Sequence, residues 1–419
     1  MATYLCALQP ELRKSINRAE TLKVATRHDA GRPMEETGVL LPIKNPSPDF
    51  DAFKNVVLGK EEPERVHFAE LGVDHEVMAY IAESLMRLKI PPPTQIAEEQ
   101  IESLQEGRNV ADLTEQTKTY LRGFIDFYHR MGYDYVTVWQ LTAPFPVKSR
   151  IADDTAPLSR GKRSWVEEKD GIVASWKQFD AFPWERVRLD LTEYYGFLCE
   201  NLPEGMKVAI GSTLYEMVGE KLMGWEGLFR NLYLDPDLVK AIFDKWGQIV
   251  YDGYKEAISY DCVGAIFHAD DLGYKKGTMV NPNILRKLVF PWFRKFTSLA
   301  HENGKIYLYH CCGNMSQVLE DLIEDIRIDA FHSFQDVIMP VWEFKAEYGK
   351  RVAALGGVDV DKLARYDQAS LRRYVRRVLD RCMTGGRYAL GSGNTVTNYV
   401  PPENYLVMLE EGLRWKPKV

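Results

Sequence analysis

From Arg65 onward the chain alternates short apolar runs with longer stretches in which apolar residues recur every three or four positions. The first pattern reads as buried strand, the second as amphipathic helix. Eight runs are predicted as strands: RVHFAE (65–70), YDYVTVWQL (133–141), MKVAIGS (206–212), CVGAIFH (262–268), KIYLYH (305–310), RIDAFHS (327–333), RVAALGG (351–357) and RYALGS (387–392). Helices are predicted between them. One covers 74–88, with Asp74 as its N-cap. Another covers 281–304, with Asn281 capping, Pro282 in its first turn and Gly304 as its stop. Strands alternating with helices imply a parallel sheet. Eight repeats predict an α/β chain folded as a (β/α)8 TIM barrel, which needs only about 250 residues. The surplus is assigned to an N-terminal extension, 1–60, and to an insertion after strand two, roughly 143–205, with the barrel spanning 61–419. The extension is rich in turn residues and carries one predicted helix around Glu11–Lys23. The insertion includes the polar loop DDTAPLSRGKRSW (153–165), placed beside the barrel mouth. An open doubly wound sheet is the competing architecture. No G-x-G-x-x-G or Walker-type loop follows any strand, so its nucleotide-binding forms find no support.

Composition narrows the function classes. The 419 residues carry a net charge of −7 with no long basic block, which argues against nucleic-acid and anionic-membrane binding. No apolar run approaches the ~20 residues that span a bilayer. The opening MATYLCALQPELRKS lacks a basic n-region, so no secretory signal is read and a cytoplasmic protein is expected. Cysteines 6, 199, 262, 311, 312 and 382 are sparse and are read as reduced thiols. The five arginines of SLRRYVRRVLDR (370–381) read as a solvated helix face.

In a (β/α)8 barrel the chemistry lies at the C-terminal ends of the strands. The predicted ends are polar: Glu70; His268, Asp270 and Asp271; His310, Cys311 and Cys312; His332 and Ser333; Gly356, Gly357 and Asp359; and GSGN, 391–394. Side chains alternate along a strand, so His310 and Cys312 share one face and Cys311 turns into packing. Imidazole nitrogen and thiolate sulfur suit zinc. On spacing alone the pair reads first as buried structure and only second as a metal site, and Glu70, Asp270, His268 and Cys382 are the candidates for further ligands. The carboxylates of HADD (268–271) either cap a loop or serve as a general acid or base. His301 is placed at a helix C-terminus. His28, His67, His75 and His129 have no supporting neighbours in the sequence.

The stretch HADDLGYKKGTMVNPNILRKLVFPWFRKFTSLAHENGKIYLYHCCGN (268–314) resembles the uroporphyrinogen decarboxylase superfamily, and within it the corrinoid-dependent methyltransferases. PERVHFAELGVD (63–74), GIVASWKQFDAFPW (171–184) and RVAALGGVDV (351–360) resemble further landmarks in order, so the likeness spans about 60–419. It implies the same barrel. The decarboxylase grips its substrate with an R-Q-A-G-R segment after strand one and uses an S-D-I aspartate after strand two. Here those places read AELGVD, with Glu70 near the arginine position, and VWQLTAP. The coenzyme M methyltransferases of the family bind zinc through H-x-C and a distant cysteine. His310 and Cys312 match the pair, and Asn394 falls where the cysteine would stand.

That pattern implies an enzyme that moves a methyl group from a small methylated donor, a methoxylated aromatic above all, to cobalt(I) of a partner corrinoid protein. Glu70, Asp270 and His310 are the catalytic candidates. Trp139, His268, Asp271, His332 and Asn394 are the substrate-binding candidates, and His310 and Cys312 would hold zinc. Phe145, Trp165 and Trp184 are further candidates to line the mouth. The alternatives are a zinc-dependent methylcobamide–thiol methyltransferase, a uroporphyrinogen decarboxylase and a non-catalytic tetrapyrrole-binding barrel. A homodimer is left open.

Overall fold

The computed structural model describes residues 40–92, 113–142, 145, 147, 149–159, 161–166, 169 and 171–417. Cys6, the helix expected around Glu11–Lys23 and His28 lie outside them. Seven of the eight predicted strands form one parallel sheet in chain order: β1 (Tyr135–Val138), β2 (Lys207–Ile210), β3 (Val263–Ala269), β4 (Ile306–His310), β5 (Ala330–His332), β6 (Ala353–Leu355) and β7 (Tyr388–Ala389). The first predicted strand, 65–70, makes a parallel bridge from Phe68 to Leu390 beyond β7 rather than a ladder. On its other side Tyr135 and Thr137 hydroxyls of β1 donate to the Glu70 carbonyl, both at 3.4 Å. Hydroxyls there replace a backbone ladder.

The sheet curls into a TIM-like shape with an interior of its own. Alternate residues of every strand (Tyr135, Ala209, Phe267, Leu308, Ala330, Leu355 and Ala389 among them) form one buried cluster. The intervening residues, such as Val136, Ile210, Ile266, Tyr309 and Phe331, pack outward against the helices. Small alanines inside and large residues outside let the sheet close tightly.

The helix α1 (Phe50–Val57) puts Phe50, Phe53 and Val57 into the inner cluster. Phe50 N donates to Gly205 O and Arg387 N to Val56 O, contacts that lie just before β2 and β7. So α1, in the stretch assigned to the N-terminal extension, covers the N-terminal end of the sheet and leaves the C-terminal end for chemistry. Buried Asp134 ties this end together, accepting from Asp49 N, Arg65 and His67 Nδ1. His67 therefore has a partner that the sequence did not reveal.

Several expectations change in three dimensions. The helix predicted over 281–304 is two helices, Pro282–Leu288 and Phe290–Glu302, because Pro291 has no N–H to donate and its ring blocks continuation. The polar loop 153–165 belongs to an antiparallel hairpin pairing Ser149–Asp153 with Lys162–Val166. The arginine-rich helix is no purely solvated face. Arg372 reaches Glu410 and Glu411 at 2.6 and 2.7 Å, both buried carboxylates of the last helix, Pro402–Arg414. Cys199 and Cys262, read as reduced thiols, form a disulfide. The helix Thr192–Asn201 brings their Cα atoms to 5.1 Å, within bridging range. A separation of 63 residues gives no hint of that pairing. Among the described residues no helix is long and apolar enough to cross a membrane.

Candidate metal centre

The inward alternation of β3, β4 and β5 continues past their ends. It places Asp271, His310, Cys312 and His332 together above the inner cluster. Cys312 Sγ lies 3.5 Å from His310 Nε2, and Asp271 Oδ1 lies 3.6 Å from the same nitrogen. One ligand atom from each of Asp271, His310 and Cys312 falls within 4.8 Å of the others. Tetrahedral zinc, with bonds of about 2.3 Å to sulfur and about 2.05 Å to nitrogen, holds such atoms about 3.6 Å apart. The donors thus fit zinc at three corners and, among the described residues, leave a fourth corner open, the arrangement of a catalytic rather than a structural site.

The tautomers follow from the hydrogen bonds. His332 Nε2 donates to the Ser392 carbonyl at 3.1 Å, so its Nδ1 is an acceptor in the neutral ring. That Nδ1 lies 2.7 Å from His310 Nδ1, which must then carry the proton. His310 Nε2 is left with its lone pair aimed at Cys312 and Asp271. Burial, reinforced by His332, holds His310 well below the ordinary histidine range, and burial takes His332 down to about 4. Both rings are neutral, as ligation by imidazole requires. Burial, then the Asp271 carboxylate, pushes the Cys312 thiol well above its ordinary value. Protein groups alone therefore do not make it a thiolate, whereas a bound cation does. Asn394 Nδ2 donates to Cys312 Sγ at 3.0 Å, with Ser333 Oγ at 3.8 Å. So Asn394 contacts the sulfur where a third ligand was sought.

Asp270 is not placed for the catalytic role given to it. It points outward, fully buried, and its two oxygens accept from the backbone N–H groups of Leu214, Tyr215 and Glu216 at 2.9–3.0 Å and from His268 Nε2 at 2.9 Å. No lone pair is left for a substrate. His268, read as substrate-binding, likewise faces the helices, with Tyr254 OH 2.9 Å from its Nδ1 and Phe293 against its ring. Alternation accounts for both, because Phe267 and Ala269 are the inward residues.

Glu70, the third catalytic candidate, is 1% exposed and lies among Tyr128, Tyr133 and Tyr405 on the outer side. Burial raises its carboxyl from 4.5 to about 8. Ser392 N is 2.6 Å from one of its oxygens and Ser392 Oγ 2.5 Å from the other. Trp139 stands over Gly211 and packs against the inner cluster. Phe145 and Trp184 pack in an aromatic group with Phe182 instead. Cys382 is buried on the helix Gln368–Cys382, before β7 and so away from the C-terminal ends. Cys311 is buried outward, as alternation predicts.

Glu216 and Ser392 carry no sequence signal beyond their place after β2 and β7. Burial, then Asp271, raises the Glu216 carboxyl well above its ordinary range. It accepts from the Asp271 backbone N–H, while Glu216 N donates to Asp270 at 2.9 Å. The 214–216 and 270–271 loops are thereby laced together, which sets Asp271 at the centre.

The Glu70 geometry has a pH consequence. The folded chain keeps a proton that the unfolded chain releases above 4.5, so Glu70's stabilising contribution is full below 4.5 and is lost as the pH rises toward about 8. The loss runs at about 1.4 kcal/mol per pH unit. Glu70→Gln is expected to flatten the pH dependence of thermal unfolding between pH 5 and 8. A variant curve parallel to wild type would contradict a buried neutral carboxyl.

The sequence profile of Uroporphyrinogen decarboxylase (URO-D) matches residues 205–414, just over half of the 419-residue chain. The chain belongs to the uroporphyrinogen decarboxylase family. The matched span holds β2 to β7 and the whole Asp271–His310–Cys312 group. Among solved structures, a methyltransferase from Methanosarcina mazei shares the fold of this family member with a TM-score of 0.58 and 13% identity, over 87% of this chain and 98% of that one. A protein described as a vitamin-B12-independent methionine synthase from Listeria monocytogenes matches with a TM-score of 0.41 and 14% identity, over 76% of this chain and 92% of that one. No curated protein matches the family member in sequence.

Proposed function

We propose that this chain is a corrinoid-dependent methyltransferase that demethylates a small methoxylated aromatic and passes the methyl group to cobalt(I) of a partner corrinoid protein. The observation that carries the reading is a donor group of one sulfur, one imidazole and one carboxylate, with Asn394 at 3.0 Å where a second thiolate would stand. Zinc held by Asp271, His310 and Cys312 would supply a Lewis acid at the open corner. One thiolate leaves such an ion more electron-poor than two, which favours an ether oxygen over a thiol. Cobalt(I) of the partner would supply the nucleophile, its electron pair going to the methyl carbon as the C–O bond breaks, and solvent water would supply the proton for the departing oxygen. The oxygen leaves with the bonding pair and takes a proton to become a phenol. The chain's part is to hold His310 in its Nε2-acceptor tautomer, to keep Asp271 in place through the 214–216 loop, and to present Trp139 at the mouth. We read the fold in full as a (β/α)8 barrel, with 65–70 as its eighth stave, an N-terminal extension and an insertion after β1.

The test is methyl transfer from methoxybenzoates to chemically reduced cobalamin, followed by the absorbance of methylcobalamin and the release of a phenol. Both products are expected in equal amounts. Transfer from methylcobalamin to 2-mercaptoethanesulfonate, with no reaction of any aryl ether, would favour the thiol reading instead.

A further inference from the structure

Ser392 gathers the hydrogen bonds that support two of the three donors. Its carbonyl accepts from His332 Nε2 at 3.1 Å, and His332 in turn orients His310. Its hydroxyl donates to the Asn394 carbonyl at 3.0 Å, and Asn394 Nδ2 holds the Cys312 sulfur. Its own N–H and hydroxyl both meet the Glu70 carboxyl. We infer that Ser392, clamped by Glu70, is the positioning residue that sets both the nitrogen and the sulfur donor of the centre, and that Glu70 acts through it as a neutral hydrogen-bond donor rather than as a catalyst. The inference rests on reading Asp271, His310 and Cys312 as a metal centre.

The proton count supports the donor role. The Ser392 hydroxyl has one proton and two oxygen neighbours, Glu70 Oε2 at 2.5 Å and the Asn394 carbonyl at 3.0 Å. One proton cannot serve both oxygens, and both contacts are hydrogen bonds only when the hydroxyl proton goes to the Asn394 carbonyl and the carboxyl brings its own. The short contact to Glu70 then needs a proton on the carboxyl, and the other carboxyl oxygen accepts from Ser392 N. Burial, which takes Glu70 to about 8, agrees with that state.

The backbone is built for this clamp. A Cβ on Gly391 would stand 1.8 Å from Ala69 O and 3.2 Å from Glu70 Oε1. A Cβ on Gly356, whose φ is +79°, would stand 2.1 Å from Ser392 O and 2.9 Å from His332 Nε2. The contacts with Ala69 O, Ser392 O and His332 Nε2 are closer than real Cβ atoms tolerate, so only glycine lets the chain before Ser392 lie against Ala69 and lets Ser392 approach His332.

Three variants separate the roles. In Glu70→Gln the amide oxygen accepts from Ser392 N and the NH₂ donates to Ser392 Oγ, so the clamp survives. Glu70→Leu removes it. Ser392→Ala cuts the link to Asn394 and sulfur but keeps the carbonyl link to His332. Each full-length protein is loaded with Co(II), read by its sulfur-to-cobalt charge-transfer and ligand-field bands, and its Zn(II) affinity is measured by chelator competition. Glu70→Gln is expected to match wild type. Glu70→Leu and Ser392→Ala are expected to weaken metal binding by roughly 10–100-fold, with the charge-transfer band shifted in Ser392→Ala. Wild-type affinity and spectra in a folded Ser392→Ala would overturn the inference, as would a Glu70→Gln as damaged as Glu70→Leu. If Glu70→Leu does not fold, Ser392→Ala carries the test alone. If wild type binds neither metal, the metal-centre reading fails separately. The clamp is then read from the alkylation rate of Cys312 by iodoacetamide, which must change in Ser392→Ala, and an unchanged rate overturns it.

Discussion

Cys312→Ser is expected to keep its fold and lose tightly held zinc. Structural zinc is bound with about 10–16 kcal/mol, so one ligand of three or four is worth about 3–4 kcal/mol, a loss of roughly 10²–10³ in affinity. A serine hydroxyl is a far poorer zinc ligand than a thiolate and leaves the Asn394 amide without its sulfur acceptor. Methyl transfer should fall with metal content, and added zinc should restore it only in part. Cys311→Ser is the matched control. Cys311 is buried on the other face, where its sulfur accepts from Leu272 N at 3.3 Å, so this change should cost packing and leave metal in place. Metal analysis after dialysis, beside circular dichroism, reads both variants. Equal zinc in Cys312→Ser and wild type would remove Cys312 from the centre.

Asp270→Ala is expected to be the most destabilising single change at the C-terminal end of the sheet. It leaves three backbone N–H groups and His268 without their shared acceptor in a fully buried place. A buried donor left without its acceptor costs about 1–3 kcal/mol, and several lose theirs at once here, so the loss is several kcal/mol. The loss should spread to the centre, because the Glu216 loop that Asp270 anchors also receives Asp271 N–H. Denaturant unfolding should show the lost stability, and metal affinity should fall with it. A variant of wild-type stability that had lost only methyl transfer would instead restore a catalytic role to Asp270.

The parts of the site that were legible are those governed by alternation along a strand. His310 and Cys312 were paired from the period of two alone, and Cys311 was turned into packing for the same reason. Alternation counted from a different residue would also have turned His268 and Asp270 outward and Asp271 inward. The HADD motif does not say which register to use, since adjacent aspartates look alike in sequence. Only the packing of Phe267 and Ala269 in the inner cluster decides it. Glu70 drew notice by standing at a strand end, yet its environment is made by tyrosines of helices and strands far along the chain.

Hydrophobic periodicity was enough to determine the α/β class and seven sheet strands within a few residues of their bounds, because these depend on neighbours close in sequence. Asp74 does precede the helix His75–Ile81, but its side chain makes no cap bond and accepts from Asn398 N and Arg163 instead. Asn281 does accept from Asn283 N, as its place before Pro282 implies. What depends on distant partners was settled by the folded chain alone. The Cys199–Cys262 disulfide, the pairing of Arg372 with Glu410 and Glu411, and the closure of the sheet's N-terminal end by α1 are of this kind. So is the donor group itself. The strands that carry Asp271 and His310 are adjacent, but the atoms that orient them, on His332, Ser392 and Asn394, arrive from β5 and β7. A hydrogen bond acts over about 3 Å of space whatever the separation along the chain, so these partnerships exist only once the sheet has curled.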